Sequence, residues 1–352
     1  MPHKTRTDGN QWRALGALSF RDRGVAMTAP ILTLRDVMVT FPSLRGLKAM
    51  MAPRDARNVQ ALNGISLDVQ RGETLAIVGE SGSGKTTLAR AINGLVPLAA
   101  GEICFNDIAL HQRPDWQAVR RQMAMMFQDP VGSLSPRKTV RELVLEPFAI
   151  HRQDVGNPIA TAQRLLEGAG LNADFLDRYP HQLSGGQARR VGVARALALQ
   201  PAIVLADEPT AGLDVSVQGE ILNLLNGIKA EHGLTTVIIT HNLNILRHIA
   251  DRIAVMYLGR IVEIGPVAQI MEKPRHPYTA ALMSANPEPD PTTRRQRIVL
   301  QGETPALTAR PRGCEFHPRC PAVRADCSSR VPQLTTKGTS AVSCHYPIQV
   351  GL

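Results

Sequence analysis

The chain has 352 residues, 43% of them hydrophobic and 20% charged, a balance ordinary for a globular protein with one large core and a modest appended region. No apolar run reaches the roughly eighteen residues a membrane-spanning helix needs. Half of the net charge of +10 lies in residues 291–330, where eight Arg face only Glu303, Glu315 and Asp326, and aromatics make up just 4% of the chain; this disfavours a stacking surface for single-stranded nucleic acid and fits better with anionic lipid or an acidic partner.

Residues 1–30 carry Lys4, Arg6, Arg13, Arg21 and Arg23 around the short apolar patch 14–20, without a small-residue cleavage pattern. They are expected to form a disordered leader rather than a secretory signal. Ile31 to Phe41 and Gly64 to Arg71 alternate apolar and polar residues as half-buried strands do, with residues 42–59 read as a loop insertion between them. A strand over Thr74–Val78, a glycine loop over Gly79–Gly84 and a helix over Lys85–Leu95 follow. Cys104 falls in a further predicted strand and reads as a buried apolar residue.

Residues 139–179 have a mostly helical pattern that interrupts this alternation, an inserted helical subdomain. Strands are then predicted at Ile203–Ala206, Thr236–Ile239 and Ile253–Tyr257. A helix is predicted over Val217–Ala230, with Val217, Ile221, Leu224, Leu225 and Ile228 on one face. Repeated strand-helix units predict an α/β fold with a mainly parallel sheet. After Pro274 the composition turns to Pro, Arg and Cys, marking a separate tail.

Gly79-Glu-Ser81-Gly82-Ser83-Gly84-Lys85-Thr86 matches the phosphate-loop pattern, after a strand and opening a helix. Its glycines let backbone N–H groups turn around a β-phosphate at a helix N-terminus. Lys85 can reach the β- and γ-phosphates, the Thr86 hydroxyl can ligate Mg²⁺, and Thr87 follows in the same turn. The apolar strand Ile203–Ala206 ends in Asp207 and Glu208. Asp207 is placed to hold Mg²⁺ and Glu208 to polarise an attacking water as general base.

Leu183-Ser184-Gly185-Gly186-Gln187 and the helix after it resemble the signature motif of ABC ATPases. This resemblance implies a P-loop NTPase fold of ABC type with an antiparallel β subdomain and a helical subdomain at about 129–186, within an ATPase domain spanning 31–273. It also implies a head-to-tail dimer in which Ser184–Gln187 of one subunit complete the nucleotide site on the phosphate loop of the other. Gln128 resembles the glutamine that senses Mg²⁺ and the attacking water, Asp214 the acidic residue linking the two sites, and His241 the histidine that contacts the γ-phosphate. Asn242 stands where relatives often carry Asp. Phe41 matches the aromatic that stacks on adenine. The implied ligands are ATP and Mg²⁺.

Cys314, Cys320, Cys327 and Cys344 cluster in the tail. Structural disulfides are not expected in a cytosolic ATPase, so a metal site is one reading and reduced thiols another; the spacing does not choose between an iron–sulfur cluster and zinc. The stretches 313–321, 276–282 and 344–346 resemble the C-terminal region of peptide, oligopeptide and nickel importer ATPases, which implies a 4Fe-4S cluster on the four thiolates, with Zn²⁺ as the alternative, and a C-terminal region spanning 274–352. The resemblance further implies ATP hydrolysis that energises an importer for peptides or a related small solute. Its partners would be two membrane permease subunits, a second related ATPase subunit in a heterodimer or homodimer, and indirectly an extracytoplasmic solute-binding protein, but no nucleic acid. The chain would sit peripherally on the cytoplasmic face of the membrane. The rival reading, an uncoupled ABC-type ATPase acting on ribosomes or DNA, expects two cassettes or a coiled-coil insert. Export expects fused membrane helices. Neither feature is in this sequence.

Overall fold

A computed structural model describes residues 29–42, 58–129, 131–286 and 297–348. The expected leader, apart from its last two residues, and nearly all of the loop insertion lie outside the described residues. The chain divides into two compact units, one containing residues 115–236 and the other residues 30–114 and 237–352.

The elements in chain order are β1 (Leu32–Pro42), β2 (Asn58–Val69), β3 (Thr74–Val78), α1 (Lys85–Ile92), β4 (Ala100–Phe105), β5 (Ile108–Ala109), α2 (Trp116–Gln122), β6 (Met123–Met126), α3 (Val140–Ile150), α4 (Pro158–Gly168), α5 (Gly185–Leu197), β7 (Ile203–Asp207), α6 (Val215–His232), β8 (Thr235–Ile239), α7 (Leu246–Ile249), β9 (Arg252–Tyr257), β10 (Arg260–Pro266), α8 (Val267–Glu272), α9 (Pro277–Ser284), β11 (Thr335–Lys337) and β12 (Ser340–Val342).

In the unit holding residues 30–114 and 237–352, β1 and β2 pair antiparallel, and β4 and β5 extend them into a sheet of order β2-β1-β4-β5. The alternation read at Ile31–Phe41 is the burial pattern of β1: Leu32, Leu34, Val37 and Val39 are buried. Cys104, expected to be buried, is only half-buried, because its neighbours Ile103 and Phe105 take the inward positions of β4. In the same unit β3 runs parallel to β9 with Ala76 opposite Ile253. From β9 outward, however, β10, β12 and β11 are joined antiparallel. The mainly parallel sheet expected from the strand-helix alternation is therefore a mixed one. β9 and β10 are joined by a tight turn with Gly259 at φ 72, and such a link can only reverse the chain. The Pro- and Cys-rich stretch is stitched to this sheet through Glu263–Val342 and Ile264–Ala341 pairing.

The unit holding residues 115–236 pairs β6 with β7 in parallel, Met126 opposite Ala206. Its helices α3, α4 and α5 enclose an apolar core that includes Val140, Leu143, Leu165, Leu166, Val191 and Ala194. Each of these helices starts where a side chain satisfies its first free amides. Thr139 and Glu142 form a reciprocal cap on α3, and Asn157 caps α4 ahead of Pro158. Among the described residues no helix is long and apolar enough to cross a membrane.

Candidate functional site

The phosphate-loop candidates grow out of β3, whose five residues are all buried. Burial of the strand fixes where the chain emerges, and the glycines fix how it turns. Gly79 has φ 152, and a Cβ there would lie 2.2 Å from the Met256 carbonyl oxygen; at Gly84, φ 99, a Cβ would meet the Ala61 oxygen at 2.8 Å. Only glycine fits at either position. Gly84 then starts α1, leaving the first amides of that helix directed into the loop. The Lys85 ammonium is turned inward, donating to the Gly79 oxygen at 2.9 Å, the Glu80 oxygen at 2.8 Å and Ser83 Oγ at 3.3 Å. Thr86 and Thr87 are half-buried on the first turn of α1, whereas Ser81 and Gly82 are exposed at the tip. This cradle of amides around a buried lysine fits a polyphosphate.

In the same unit the Thr240 amide donates to the Ile77 carbonyl, and His241 follows it, exposed at the end of β8. The Asn242 amide donates to Thr240 Oγ1 and the Asn242 side chain accepts from the Asn244 amide. Asn242 thus shapes the turn that carries His241. Phe41 is 40% exposed on β1, opposite Val59. It is therefore not a core aromatic.

In the other unit β7 delivers Asp207, 4% exposed, at its end. Glu208 follows in the left-handed region at φ 49, a conformation that a non-glycine residue adopts at a cost and that turns its side chain out of the strand direction. Gln128 Nε2 donates to Glu208 Oε2 at 3.3 Å, so two residues eighty positions apart meet.

The signature segment is a helix start. Ser184 Oγ accepts from the Gln187 amide at 3.2 Å and Gln187 Oε1 accepts from the Ser184 amide at 2.9 Å, a reciprocal capping box. Ser184 and Gly185 remain exposed at the N-terminus of α5. Asp214 caps α6, accepting from the Val217 amide at 3.0 Å. A Cβ on Gly186 would lie 3.0 Å from Val217 Cγ1, so the two helix starts approach closely there and a side chain would push on Val217.

Arg189 was missed in the sequence. It is 2% exposed, and its guanidinium donates to the carbonyls of Phe127 at 3.0 Å, Gln128 at 3.0 Å and Ala211 at 3.2 Å. Burial lowers its pKa, an effect opposed by Asp129 and Glu208. One buried cation thus ties the Gln128 segment and the segment before Asp214 to the signature helix. The signal lay in its position, one residue after Ala188 on a buried helix face.

Cys314, Cys320, Cys327 and Cys344 line one apolar pocket together with Phe316 and His276. Burial pushes the Cys314 and Cys320 thiols up, and that of Cys344 up to about 11. The donor set is all thiol and shares one cavity, as a thiolate-bound group requires. Among the described residues, however, no group of three or more His, Cys, Asp or Glu side chains is arranged to hold a metal ion.

The chain is 42% identical over 322 residues to the oligopeptide transport ATP-binding protein AppF of Bacillus subtilis, covering 90% of this chain and 97% of that one. It belongs to the ABC transporter family. The ABC transporter profile matches residues 62–211, and the profile of the oligopeptide/dipeptide transporter C-terminal region matches residues 262–327. The oligopeptide transport ATP-binding protein OppF of Salmonella typhimurium is 40% identical over 323 residues, 89% of this ABC protein and 95% of that relative. Among solved structures, the dimeric ATP-binding cassette MJ0796 in a post-hydrolysis state with ADP and Pi superposes with a TM-score of 0.59 at 31% identity, covering 67% of this chain and 98% of that one. The fold is that of an ABC ATPase cassette with mixed α/β sheets, and cassettes of this family hydrolyse ATP to power transport.

Proposed function

We propose that this chain hydrolyses ATP in a two-subunit sandwich to energise import of oligopeptides or a closely related solute. The observation that carries the reading is the pairing, in one chain, of a glycine cradle around Lys85 with a second exposed helix start at Ser184–Gly186. Near full-length similarity to oligopeptide transport ATP-binding proteins supplies the substrate class.

In this reading the amides of Gly79–Gly84 and Lys85 bind the β- and γ-phosphates, and Phe41 stacks on the base. Thr86, Asp207 and Gln128 would hold Mg²⁺, which would supply charge neutralisation to the phosphates when bound. Glu208 accepts the proton of the attacking water, with Gln128 orienting the carboxylate and His241 donating to the γ-phosphate. Ser184, Gly185, Gly186 and Gln187 of a second subunit close the site, and Asp214 links the two halves.

The domain reading is a leader over 1–30, an ATPase domain over 31–273 with its helical insert at about 129–186, and a C-terminal region over 274–352. The partners in this reading are two membrane permease subunits, a second ATPase subunit of related sequence, and a solute-binding protein across the membrane. The chain sits peripherally on the cytoplasmic face. The four thiols would carry a 4Fe-4S cluster, supported by their common pocket, or zinc. Iron and sulfide in an anaerobic preparation decide for the cluster, stoichiometric zinc against it.

The functional test is purification of the chain with its permeases from membranes, followed by ATPase assay in proteoliposomes with and without loaded peptide-binding protein. Peptide-dependent stimulation is expected. Hydrolysis that ignores permease and peptide alike would overturn the coupling.

A further inference from the structure

Glu80 occupies the first variable position of the phosphate loop, and every polar group it has is engaged. Its amide donates to Tyr278 Oη at 2.9 Å, and its carbonyl accepts from Lys85 Nζ. Its carboxylate meets the Arg319 guanidinium twice, Nη1 to Oε2 at 2.9 Å and Nη2 to Oε1 at 3.2 Å, and also accepts from Thr304 Oγ1. Tyr278 starts the C-terminal region and Arg319 lies deep within it, 239 residues along the chain from Glu80. Arg319 is itself held: its side chain is 9% exposed, it lies over the Tyr257 ring at 5.9 Å, and it donates to Thr304 Oγ1 at 3.1 Å. Tyr257, Tyr278 and Phe316 pack ring against ring beneath it at 4.8–5.4 Å.

A carboxylate in a loop built to hold a triphosphate is an electrostatic liability. Left unpaired, it would repel the phosphates and compete for Lys85, which already contacts the carbonyl of the same residue. A two-pronged guanidinium both cancels that charge and fixes its direction. We propose that Arg319 is a positioning residue of the nucleotide site: by neutralising and holding Glu80, it keeps the phosphate loop and Lys85 ready for ATP, so the C-terminal region sets nucleotide affinity. This rests on the reading of Gly79–Thr86 as the nucleotide loop. Burial pushes the Glu80 carboxyl up, but the hydrogen bonds from Arg319 and Thr304 and the charge of Arg319 more than offset it, leaving its pKa lowered. The pair is ionised at neutral pH.

The experiment is titration of the full-length chain with a non-hydrolysable ATP analogue and Mg²⁺, run on the parent, Arg319→Ala, Arg319→Lys and the double variant Glu80→Gln/Arg319→Ala. Arg319→Ala is expected to weaken binding about tenfold or more, the range for losing a charge-assisted pair. Arg319→Lys should keep part of the affinity, and Glu80→Gln in the Arg319→Ala background should recover most of it, since the repulsion goes with the charge. In steady-state turnover Arg319→Ala should raise KM while kcat stays within about threefold. Parent-like binding by Arg319→Ala overturns the proposal. So does weakened binding that Glu80→Gln fails to recover, which is the outcome for a variant that has merely lost its packing. A parent chain that binds no nucleotide would instead refute the loop reading itself.

Discussion

Gln128 Nε2 donates to Glu208 Oε2 across 3.3 Å, a contact between an amide and a carboxylate eighty residues apart. In the proposed reading Glu208 is the general base and this amide orients it. Glu208→Gln should therefore keep ATP affinity within a few-fold of the parent while turnover falls by at least about a hundredfold, the scale of a lost general base. Single-turnover phosphate release measures it; turnover within a few-fold of the parent rejects the assignment.

Arg189 is buried and donates to three carbonyls at once. Arg189→Ala takes their shared donor from three part-buried carbonyls and leaves a cavity at a buried position, so a loss of about 2–4 kcal/mol in urea unfolding is expected. The larger effect should be on turnover, because two of the freed carbonyls belong to Phe127 and Gln128, the residues that place the Gln128 amide. Arg189→Lys, a single point charge without the planar fork, should recover stability only in part and turnover less.

The places where the sequence was readable share a physical feature. Glycine loops and carboxylates at strand ends depend on local backbone geometry, so Gly79–Thr86 and Asp207–Glu208 announced themselves in the residue order. The β1 face did likewise, because a period of 2 is written directly into the side chains; in α6 Ile221, Leu225 and Ile228 are buried as read, but Val217 and Leu224 are half-buried and Leu222 is buried in their place. What escaped was non-local. Arg189 reads as one more basic residue in a helix until three carbonyls surround it. Nor does anything around Glu80 or Arg319 reveal that they meet, because the contact is made only when β9, α9 and the segment around Phe316 pack together. The mixed sheet was missed for a related reason: β10, which reverses it, is buried over five of its seven residues and so shows no alternation, and β11 and β12 are three residues each. The thiols of the tail were visible as a cluster, but spacing alone could not say that all four line one pocket.

The Glu80–Arg319 pair also predicts a pH dependence. A carboxyl whose folded pKa is lowered below the ordinary 4.5 contributes stability that is fully present above that value and is lost as pH falls through the folded one. The difference in unfolding stability between the parent and Glu80→Gln should accordingly be flat from about pH 8 down to about pH 5. It should shrink only in more acid solution. Urea titrations across that range measure it, and a difference that already declines between pH 7 and 6 would place the carboxyl outside the pair.

In the proposed reading Ser184 does two jobs that one substitution can separate. As the cap of α5 its hydroxyl accepts from the Gln187 amide, and Ser184→Ala should cost about 1 kcal/mol of stability through the cap alone. Aspartate caps a helix as well as serine does, so Ser184→Asp should melt with the parent. At an exposed helix start meant to receive a phosphate, however, the new carboxylate repels what the amides attract. Ser184→Asp is therefore expected to bind ATP on its own phosphate loop with parent affinity, yet fail to form the ATP-dependent dimer that Glu208→Gln should trap. Light scattering of the two variants with and without Mg-ATP measures this. If Ser184→Asp in the Glu208→Gln background dimerises like Glu208→Gln alone, the serine faces no phosphate and its exposure at the start of α5 serves the helix only.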